Sequence, residues 1–254
     1  MKWRKWLGDY GLFCVTMLVL IAIWQWVIQK GMIPSFILPS PSQIYVSFME
    51  NHRQLINVHL PATVEEVGIG FLLSVAGGVM IGVIMYVSKT AEKIFYPFLV
   101  ISQTIPLVAV SPVFMMWFGY SVWSKVAIIV LTAIFPIVIS TFDGLKTVDP
   151  AYLNLFRTMG ASRWDIFRKL SVPMALPQFL SGLKLSVVYC VSGAAIGEWL
   201  GATAGLGFFS KRMSGYLQSG AVFSAVFLLA ALGMGLFLLI YGMEKSLLKN
   251  RTKI

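Results

Sequence analysis

The chain has 254 residues, of which 58% are hydrophobic and 12% charged, and its formal net charge is +10. A soluble domain carries about 25% charged residues, so this composition indicates a protein that crosses the membrane several times. The positive charge does not indicate nucleic-acid binding, because the basic residues cluster at the ends of apolar segments. Cys14 and Cys190 both lie in apolar runs, which predicts buried free thiols rather than a disulfide.

Six apolar segments are long enough to cross a bilayer, which requires about 20 residues. We predict spans at 11–29, 62–87, 95–118, 123–142, 175–198 and 221–243. With a cytoplasmic N-terminus, the inner segments hold Lys2, Arg4, Lys5, Lys89, Lys93, Lys146, Arg157, Arg163, Arg168, Lys169, Lys245, Lys249, Arg251 and Lys253. The outer segments hold only Lys30, Arg53, Lys125, Lys211 and Arg212. This asymmetry predicts that both termini and the segment 143–174 are cytoplasmic.

The basic N-terminus and the apolar run after it resemble a signal peptide at first sight. The run is long for such a signal, however, and no small-x-small cleavage site follows it. We therefore interpret it as a retained first span. The outer segment 31–61 comes next, and Ser40-Pro41 predicts the start of a helix within it. His52 and His59 are expected to be solvated or interfacial, because no further metal ligands stand at suitable spacing.

The second and third predicted spans contain residues unusual for simple lipid anchors. Gly78 and Gly82 have the small-xxx-small spacing that lets helix backbones approach closely. The third span contains Pro106 and Pro112, each of which removes a backbone donor and favours a kink. It also carries four polar side chains, Ser102, Gln103, Thr104 and Ser111. These features are explained either by helix packing or by the lining of a polar pathway.

The segment 149–173, called the platform below, separates the fourth and fifth spans. Asp149 and Pro150 are typical of a helix start, and Gly160 is typical of the residue after a helix end. Ser162, with Asp165 three residues later, predicts a second helix to about residue 169. We expect the prolines at 173 and 177 to break the chain before the fifth span.

The platform combines apolar and basic side chains. Its apolar residues are Leu155, Phe156, Met159, Trp164, Ile166 and Phe167, and its arginines are Arg157, Arg163 and Arg168. Aromatic and arginine side chains are the usual anchors of protein interfaces, so we predict a docking surface. The alternative is that this surface packs against the ends of the chain's own spans.

The fifth span ends in Glu198-Trp199, beside a glycine-rich stretch at 201–207. A carboxylate near a membrane boundary is a functional candidate, and we include Glu198 and Trp199 among the residues that line the translocation pathway. The alternative is that Glu198 extends to the outer surface and has no such role.

The platform resembles the cytoplasmic signature of permease subunits of bacterial ATP-binding-cassette (ABC) importers, which reads Glu-Ala-Ala-x3-Gly-x9-Ile-x-Leu-Pro. Asn154-Leu155-Phe156 stand at the first three positions, where Glu-Ala-Ala is not kept. Gly160 is the glycine, Leu170 stands for Ile, and Val172-Pro173 stand for Leu-Pro. The stretches 37–42, 105–112, 117–119 and 182–184 look like those of nitrate/sulfonate/taurine-type permeases, and 196–207 most resembles the branch that imports pyrimidine precursors of thiamine.

The resemblance implies an all-α membrane protein of about six transmembrane helices, forming one permease domain over 1–254 with a coupling segment at about 146–174. It implies three kinds of partner in a bacterial inner membrane: a second permease copy, a cytoplasmic ATPase dimer and an extracytoplasmic binding protein. The residues expected to contact the ATPase are Asn154, Phe156, Arg157, Gly160, Ala161, Ser162, Trp164 and Phe167.

The resemblance also bears on chemistry and substrate. The chain has no Gly-rich phosphate loop, so ATP hydrolysis is expected in the partner, with no cofactor in this chain. Hydroxymethylpyrimidine or formylaminopyrimidine is the expected substrate, and alkanesulfonate, taurine, nitrate or another vitamin is the alternative. Two other classes of protein are the remaining alternatives. A secondary transporter would be expected to show an internal repeat or ionisable residues at the middle of the membrane, and a membrane-embedded enzyme would need a paired acid and base or a set of metal ligands.

Overall fold

The structure, a computed structural model, describes residues 2–249 and the side chains of residues 11–248. All regular structure in this part of the chain is helical. The helices are α1 Lys2–Gln29, α2 Pro41–Gln54, α3 Leu60–Val87, α4 Lys89–Thr104, α5 Leu107–Phe118, α6 Val122–Lys146, α7 Pro150–Thr158, α8 Arg163–Ile166, α9 Val172–Gly201, α10 Leu206–Gly215 and α11 Ser219–Lys249. The charges used for orientation at Arg251 and Lys253 lie outside the described residues, as do the side chains of Lys2, Arg4, Lys5 and Lys249.

Within the described residues, five helical segments are long and apolar enough to cross a membrane, and a bent pair brings the number to six when its two helices are counted as one span. The pair consists of α4 and α5, which meet at an angle of 104°. This bend falls at Ile105-Pro106, where both residues have extended backbone and Pro106 precedes α5. The prediction of about six spans is therefore confirmed, but 95–118 is two helices rather than one kinked helix.

The prediction that prolines break the chain after the platform is wrong. A π-helical turn at Phe167–Ser171 joins α8 to α9, so one helix runs from Arg163 to Gly201, with Pro173 and Pro177 inside it. The turn at Leu55–His59 joins α2 to α3 in the same way, two residues before Pro61. A proline ring clashes with the carbonyl four residues earlier in a regular α-helix, and a π turn just before it displaces that carbonyl.

The centre of the fold is α6, which packs between α3 and α9. Gly70, Gly78 and Gly82 of α3 lie directly against Ile129, Ile137 and Thr141 of α6, respectively. A Cβ at any of the three glycines would lie within 3 Å of a side-chain atom of α6, so only a glycine permits this approach. The small-xxx-small prediction for Gly78 and Gly82 is confirmed by these contacts.

The first helix lies at the periphery, and only 6% of the residues in its most apolar stretch are buried. Gln25 of α1 bonds to Ser42 of α2, and most of its other side chains are exposed for contact with lipid. Cys14 is one of these exposed side chains, and Cys190 is buried in α9. Both cysteines are free as predicted, but the expectation that Cys14 is buried is wrong.

The helices define two opposite ends of the molecule. The platform follows the C-terminus of α6 and precedes α9, so it occupies one end. The N-termini of α3 and α6, the C-terminus of α9 and helix α10 lie at the other end, called the distal end below. Since α9 is continuous with α8, a single helix of 39 residues joins the platform to the distal end.

Candidate functional site

The platform is built by two capped helices around a glycine corner, as the sequence predicts. The Asp149 carboxylate accepts a hydrogen bond from the Ala151 amide at 2.8 Å and so caps α7. The α7 C-terminus ends in a Schellman arrangement, in which Gly160 has φ +76° and the Ala161 amide donates to the Phe156 carbonyl. The reversal of the chain therefore depends on a left-handed residue at 160.

The second platform helix is capped by Ser162. Its hydroxyl oxygen accepts from the Asp165 amide at 3.1 Å and donates to the Asp165 carboxylate at 2.5 Å. The carboxylate also pairs with Lys169 at 2.6 Å. Asp165 bonds to the Ser162 side chain rather than to its backbone amide, so the predicted capping box is formed on one side only.

The platform side chains divide into an internal core and an exposed surface. Val148, Ile166 and Leu170 are buried, and Leu153, Phe156 and Ala161 pack against them. The expectation that Ile166 contributes to the apolar surface is therefore wrong, and Phe156 is half-buried. The exposed members of the predicted ATPase contact are Asn154, Arg157, Gly160, Ser162 and Trp164.

A groove of about 860 Å³ separates the platform from the end of α3. Tyr86 and Val87 of α3 form one wall, and Arg157, Trp164 and Phe167 form the other. The Trp164 and Phe167 rings stack with their centroids 5.5 Å apart, and Trp164 is 65% exposed. An exposed aromatic ring held in place by a second ring, with an arginine beside it, is typical of an interface anchor.

The polar residues of the bent pair bond to their own helices. The hydroxyls of Ser102, Thr104 and Ser111 donate to the carbonyls three or four residues earlier, and the Gln103 amide donates to the Ser102 hydroxyl. Ser111 is fully buried, whereas Gln103 and Thr104 are exposed. Since α5 packs against α9, the bent pair lies beside the helix that carries Glu198.

Glu198 is fully buried at the distal end, so the alternative that it extends to the surface is wrong. One oxygen of its carboxylate accepts from the Thr63 hydroxyl at 2.6 Å. The other accepts from the Gly207 amide at 2.5 Å. Thr63 in turn accepts from the Leu206 amide at 2.9 Å. Glu198 and Thr63 thus satisfy the amide groups at the start of α10, which would otherwise lack partners.

His59 completes this arrangement and corrects a further expectation. It is 4% exposed rather than solvated, and its Nδ1 accepts from the Gly205 amide at 3.2 Å. Gly205 has φ +116°, and a Cβ at this position would lie 2.2 Å from the Glu198 carboxyl carbon. The sequence Gly205-Leu206-Gly207 is therefore required for the backbone to approach Glu198 this closely.

A buried ion pair lies next to Glu198. The Lys125 ammonium group of α6 is 3.2 Å from the Glu66 carboxylate of α3, and both side chains are almost completely buried. Among the described side chains, the second oxygen of Glu66 has no neighbour to bond with except the Glu198 carboxyl group. Thr63, Glu66, Lys125 and Glu198, called the distal cluster below, therefore connect α3, α6, α9 and α10.

A pocket of about 430 Å³ opens at the distal end, over the cluster. Its walls carry four aromatic rings and two basic side chains: Tyr120, Trp199, Phe208, Tyr216, Lys211 and Arg212. The Trp199 indole donates to the Ser210 hydroxyl at 2.8 Å, and the Arg212 guanidinium lies over the Phe208 ring at 5.7 Å. We call this cavity the distal pocket.

Sequence reasoning finds Glu198 and Trp199 but misses Thr63, Glu66 and Lys125. Glu66 and Lys125 are ionisable residues within the predicted spans 62–87 and 123–142 or at their edge, which by itself marks a candidate site. The charge count treats Lys125 as an outer loop residue, whereas it is buried in α6. The described residues contain no group of three His, Cys, Asp or Glu side chains that could hold a metal ion.

The fold defines a class of protein, namely a multi-pass helical membrane protein with a capped platform between two of its spans. Residues 74–250 match the family described as the binding-protein-dependent transport system inner membrane component. The chain belongs to this family, and it is a permease subunit of an ABC importer in the inner membrane.

Relatives agree with this assignment, and a solved structure shares the fold. The chain is 45% identical over 237 residues to the formylaminopyrimidine transport permease protein ThiX of Halalkalibacterium halodurans, covering 93% of this chain and 94% of the relative. It is 32% identical to the putative aliphatic sulfonates transport permease protein SsuC of Bacillus subtilis, covering 92% and 85%. The fold is similar to that of the MetNI methionine ABC transporter in an inward-facing conformation, with a TM-score of 0.62, 19% identity and coverage of 76% and 97%.

Proposed function

We propose that this chain translocates a pyrimidine precursor of thiamine, delivered by an extracytoplasmic binding protein. The observation that supports this substrate is the 45% identity, over almost the whole of both chains, to a permease named for formylaminopyrimidine transport. Identity to the sulfonate permease is lower, at 32%, and that to a taurine permease is 26%. Hydroxymethylpyrimidine and formylaminopyrimidine share a ring, so both belong to this proposal.

The platform supports a role in docking an ATPase. Trp164 and Arg157 are exposed beside a groove that is large enough to receive side chains of a partner. We propose that two copies of the chain form the translocation unit and that each platform binds one ATPase subunit. The 39-residue helix from Arg163 to Gly201 would transmit a movement of the platform to Glu198 and Trp199.

We place the translocation pathway along the bent pair and the distal end of α9. Ser102, Gln103 and Thr104 lie at the bend, and Trp199 and Glu198 lie at the end of α9. Val108 of α5 shares a small cavity with Trp199, which brings the two helices to one surface. Ser111, which is fully buried, would hold the α5 backbone rather than contact substrate.

Uptake of labelled formylaminopyrimidine tests the proposed substrate. The chain, its ATPase and its binding protein are expressed together in cells that lack their own pyrimidine importer. We expect concentrative uptake that unlabelled hydroxymethylpyrimidine reduces and that taurine or an alkanesulfonate does not. The matched control is the same system with an ATPase variant that cannot hydrolyse ATP, which should abolish uptake. Uptake of taurine or sulfonate without uptake of pyrimidine would contradict the proposal.

The orientation is tested by labelling with a thiol reagent that cannot cross the membrane. In a background with Cys14→Ser and Cys190→Ser, we expect Gln54→Cys to react in intact cells and Ser162→Cys to react only after permeabilisation. Both positions are exposed, so burial does not produce the difference. The reverse pattern would place the platform outside the cell and would exclude ATPase docking there.

A further inference from the structure

We propose that the distal pocket binds the planar ring of the transported substrate, recognising a heteroaromatic molecule that carries hydrogen-bond acceptors. This inference rests on the proposed function, because it assigns part of the substrate path to named residues. The pocket lies at the end of the molecule opposite to the platform, where a substrate delivered from outside would enter.

The volume and lining of the pocket fit a small ring. Its volume of about 430 Å³ lies within the range of about 300–1,000 Å³ that is usual for small-molecule sites. Tyr120, Trp199, Phe208 and Tyr216 supply ring faces and edges on several sides. Aromatic rings favour stacked or edge-to-face contact with another planar ring, and this preference does not extend to a flexible aliphatic chain.

The accessible charge of the pocket is positive. Lys211 and Arg212 are exposed at its wall. Glu198 also belongs to the lining, but its carboxylate is already engaged by Thr63 and Gly207 and is fully buried. The pocket therefore offers donors and cations to the ligand and no free carboxylate. Ring nitrogens and a carbonyl oxygen are suitable acceptors for these donors.

Two of the ring-binding groups are already held in position. The Trp199 indole is fixed by its hydrogen bond to Ser210, and Arg212 lies over Phe208 and Phe209. The start of α10 is fixed by Glu198 and Thr63, which determines where Phe208, Lys211 and Arg212 lie. A site whose side chains are ordered before binding loses less entropy when the ligand arrives.

Equilibrium binding to the purified permease–ATPase complex in lipid nanodiscs, without binding protein, tests the proposal. The probes are formylaminopyrimidine and taurine, and binding is followed by calorimetry and by the change in Trp199 fluorescence relative to a Trp199→Phe variant. We expect formylaminopyrimidine to bind and taurine not to bind. Tyr216→Ala and Arg212→Gln should each weaken pyrimidine binding by about tenfold, as expected for loss of one ring contact or one charged donor.

Matched controls exist at the same end of the molecule. Tyr45 is 62% exposed and Tyr216 is 67% exposed, and Tyr45 does not line the pocket. Arg53 is exposed and lies outside the pocket in the same way. Tyr45→Ala and Arg53→Gln should therefore leave pyrimidine binding unchanged. Copurification of the ATPase with each variant shows that the permease is folded.

The outcomes distinguish a failure of the pocket proposal from a failure of the proposed substrate. If cells take up pyrimidine but the complex does not bind it, or if Tyr216→Ala and Arg212→Gln bind it as well as the unmodified protein, the pocket proposal is overturned and the function stands. If taurine binds instead, the ring-binding proposal fails. If pyrimidine binds in the pocket but is not taken up, the proposed substrate fails and the ring site stands.

Discussion

Replacing Lys125 with methionine is expected to destabilise the permease by about 3–5 kcal/mol, because it leaves the buried Glu66 carboxylate without its cation. Lys125 is 5% exposed and its ammonium group is 3.2 Å from Glu66, so water cannot replace the lost partner. Methionine has a similar length and fills most of the same space. The expected result is a large fall in the melting temperature of the purified complex, together with a loss of protein in the membrane.

Two further variants distinguish the effect of losing the charge from the effect of changing the shape of the side chain. Glu66→Leu combined with Lys125→Met removes both members of the pair and should restore most of the stability, because an apolar replacement of a whole buried pair is often close to neutral. Lys30→Met removes an exposed lysine and should change the melting temperature little. If Lys125→Met alone melted at the temperature of the unmodified protein, the ion pair would contribute nothing to the distal cluster.

Much of the fold follows from the sequence because spans and caps depend on local patterns. Apolar runs of sufficient length give the six crossings, and Asp149, Gly160 and Ser162 each form the cap that their residue type favours. These features require only neighbours within a few residues. The two platform helices therefore start where predicted, and the chain turns at Gly160 between them as predicted.

The continuity of α9 could not be predicted in the same way. Proline rules describe a regular helix, and on that basis Pro173 ends one. The π turn at Phe167–Ser171 provides another solution, in which the helix continues through the proline. Leu170 and Ser171 of this turn are buried, and the Ser171 hydroxyl is 3.0 Å from that of Tyr86 in α3. Tertiary contacts of this kind are not visible in a local sequence pattern.

The distal cluster was only partly predicted for a related reason. Glu198 stands out in the sequence because it ends a span next to glycines, but its partners Thr63 and Glu66 lie more than a hundred positions earlier. Only the packing of α3 against α6 and α9 brings them together. Glu198 accepts hydrogen bonds from the Gly207 amide of α10 and the Thr63 hydroxyl, so its observed contacts are structural. Its role in the pathway stays a prediction.

Replacing Gly160 with valine is expected to abolish transport while leaving the permease in the membrane. Gly160 has φ +76°, a conformation that costs a β-branched residue roughly 1–2 kcal/mol or more. No atom lies within 4 Å of a Cβ placed there, so the effect comes from the backbone alone. The strain would open the Schellman turn and displace Trp164 from Arg157, which removes the proposed ATPase contact. The measurement is copurification of the ATPase with the tagged permease, together with uptake.

Gly160→Asn is the matched control, because asparagine tolerates the left-handed conformation and also places a side chain in open space. It should retain most of the ATPase association that Gly160→Val loses. Gly235→Val is a second control in α11, where the glycine has ordinary helical backbone and nothing within 4 Å of its Cβ position. Equal ATPase binding by Gly160→Val and Gly160→Asn would show that the corner at Gly160 does not position the docking surface. Equal loss in both would show that the side chain blocks the ATPase, which would place Gly160 within the interface itself.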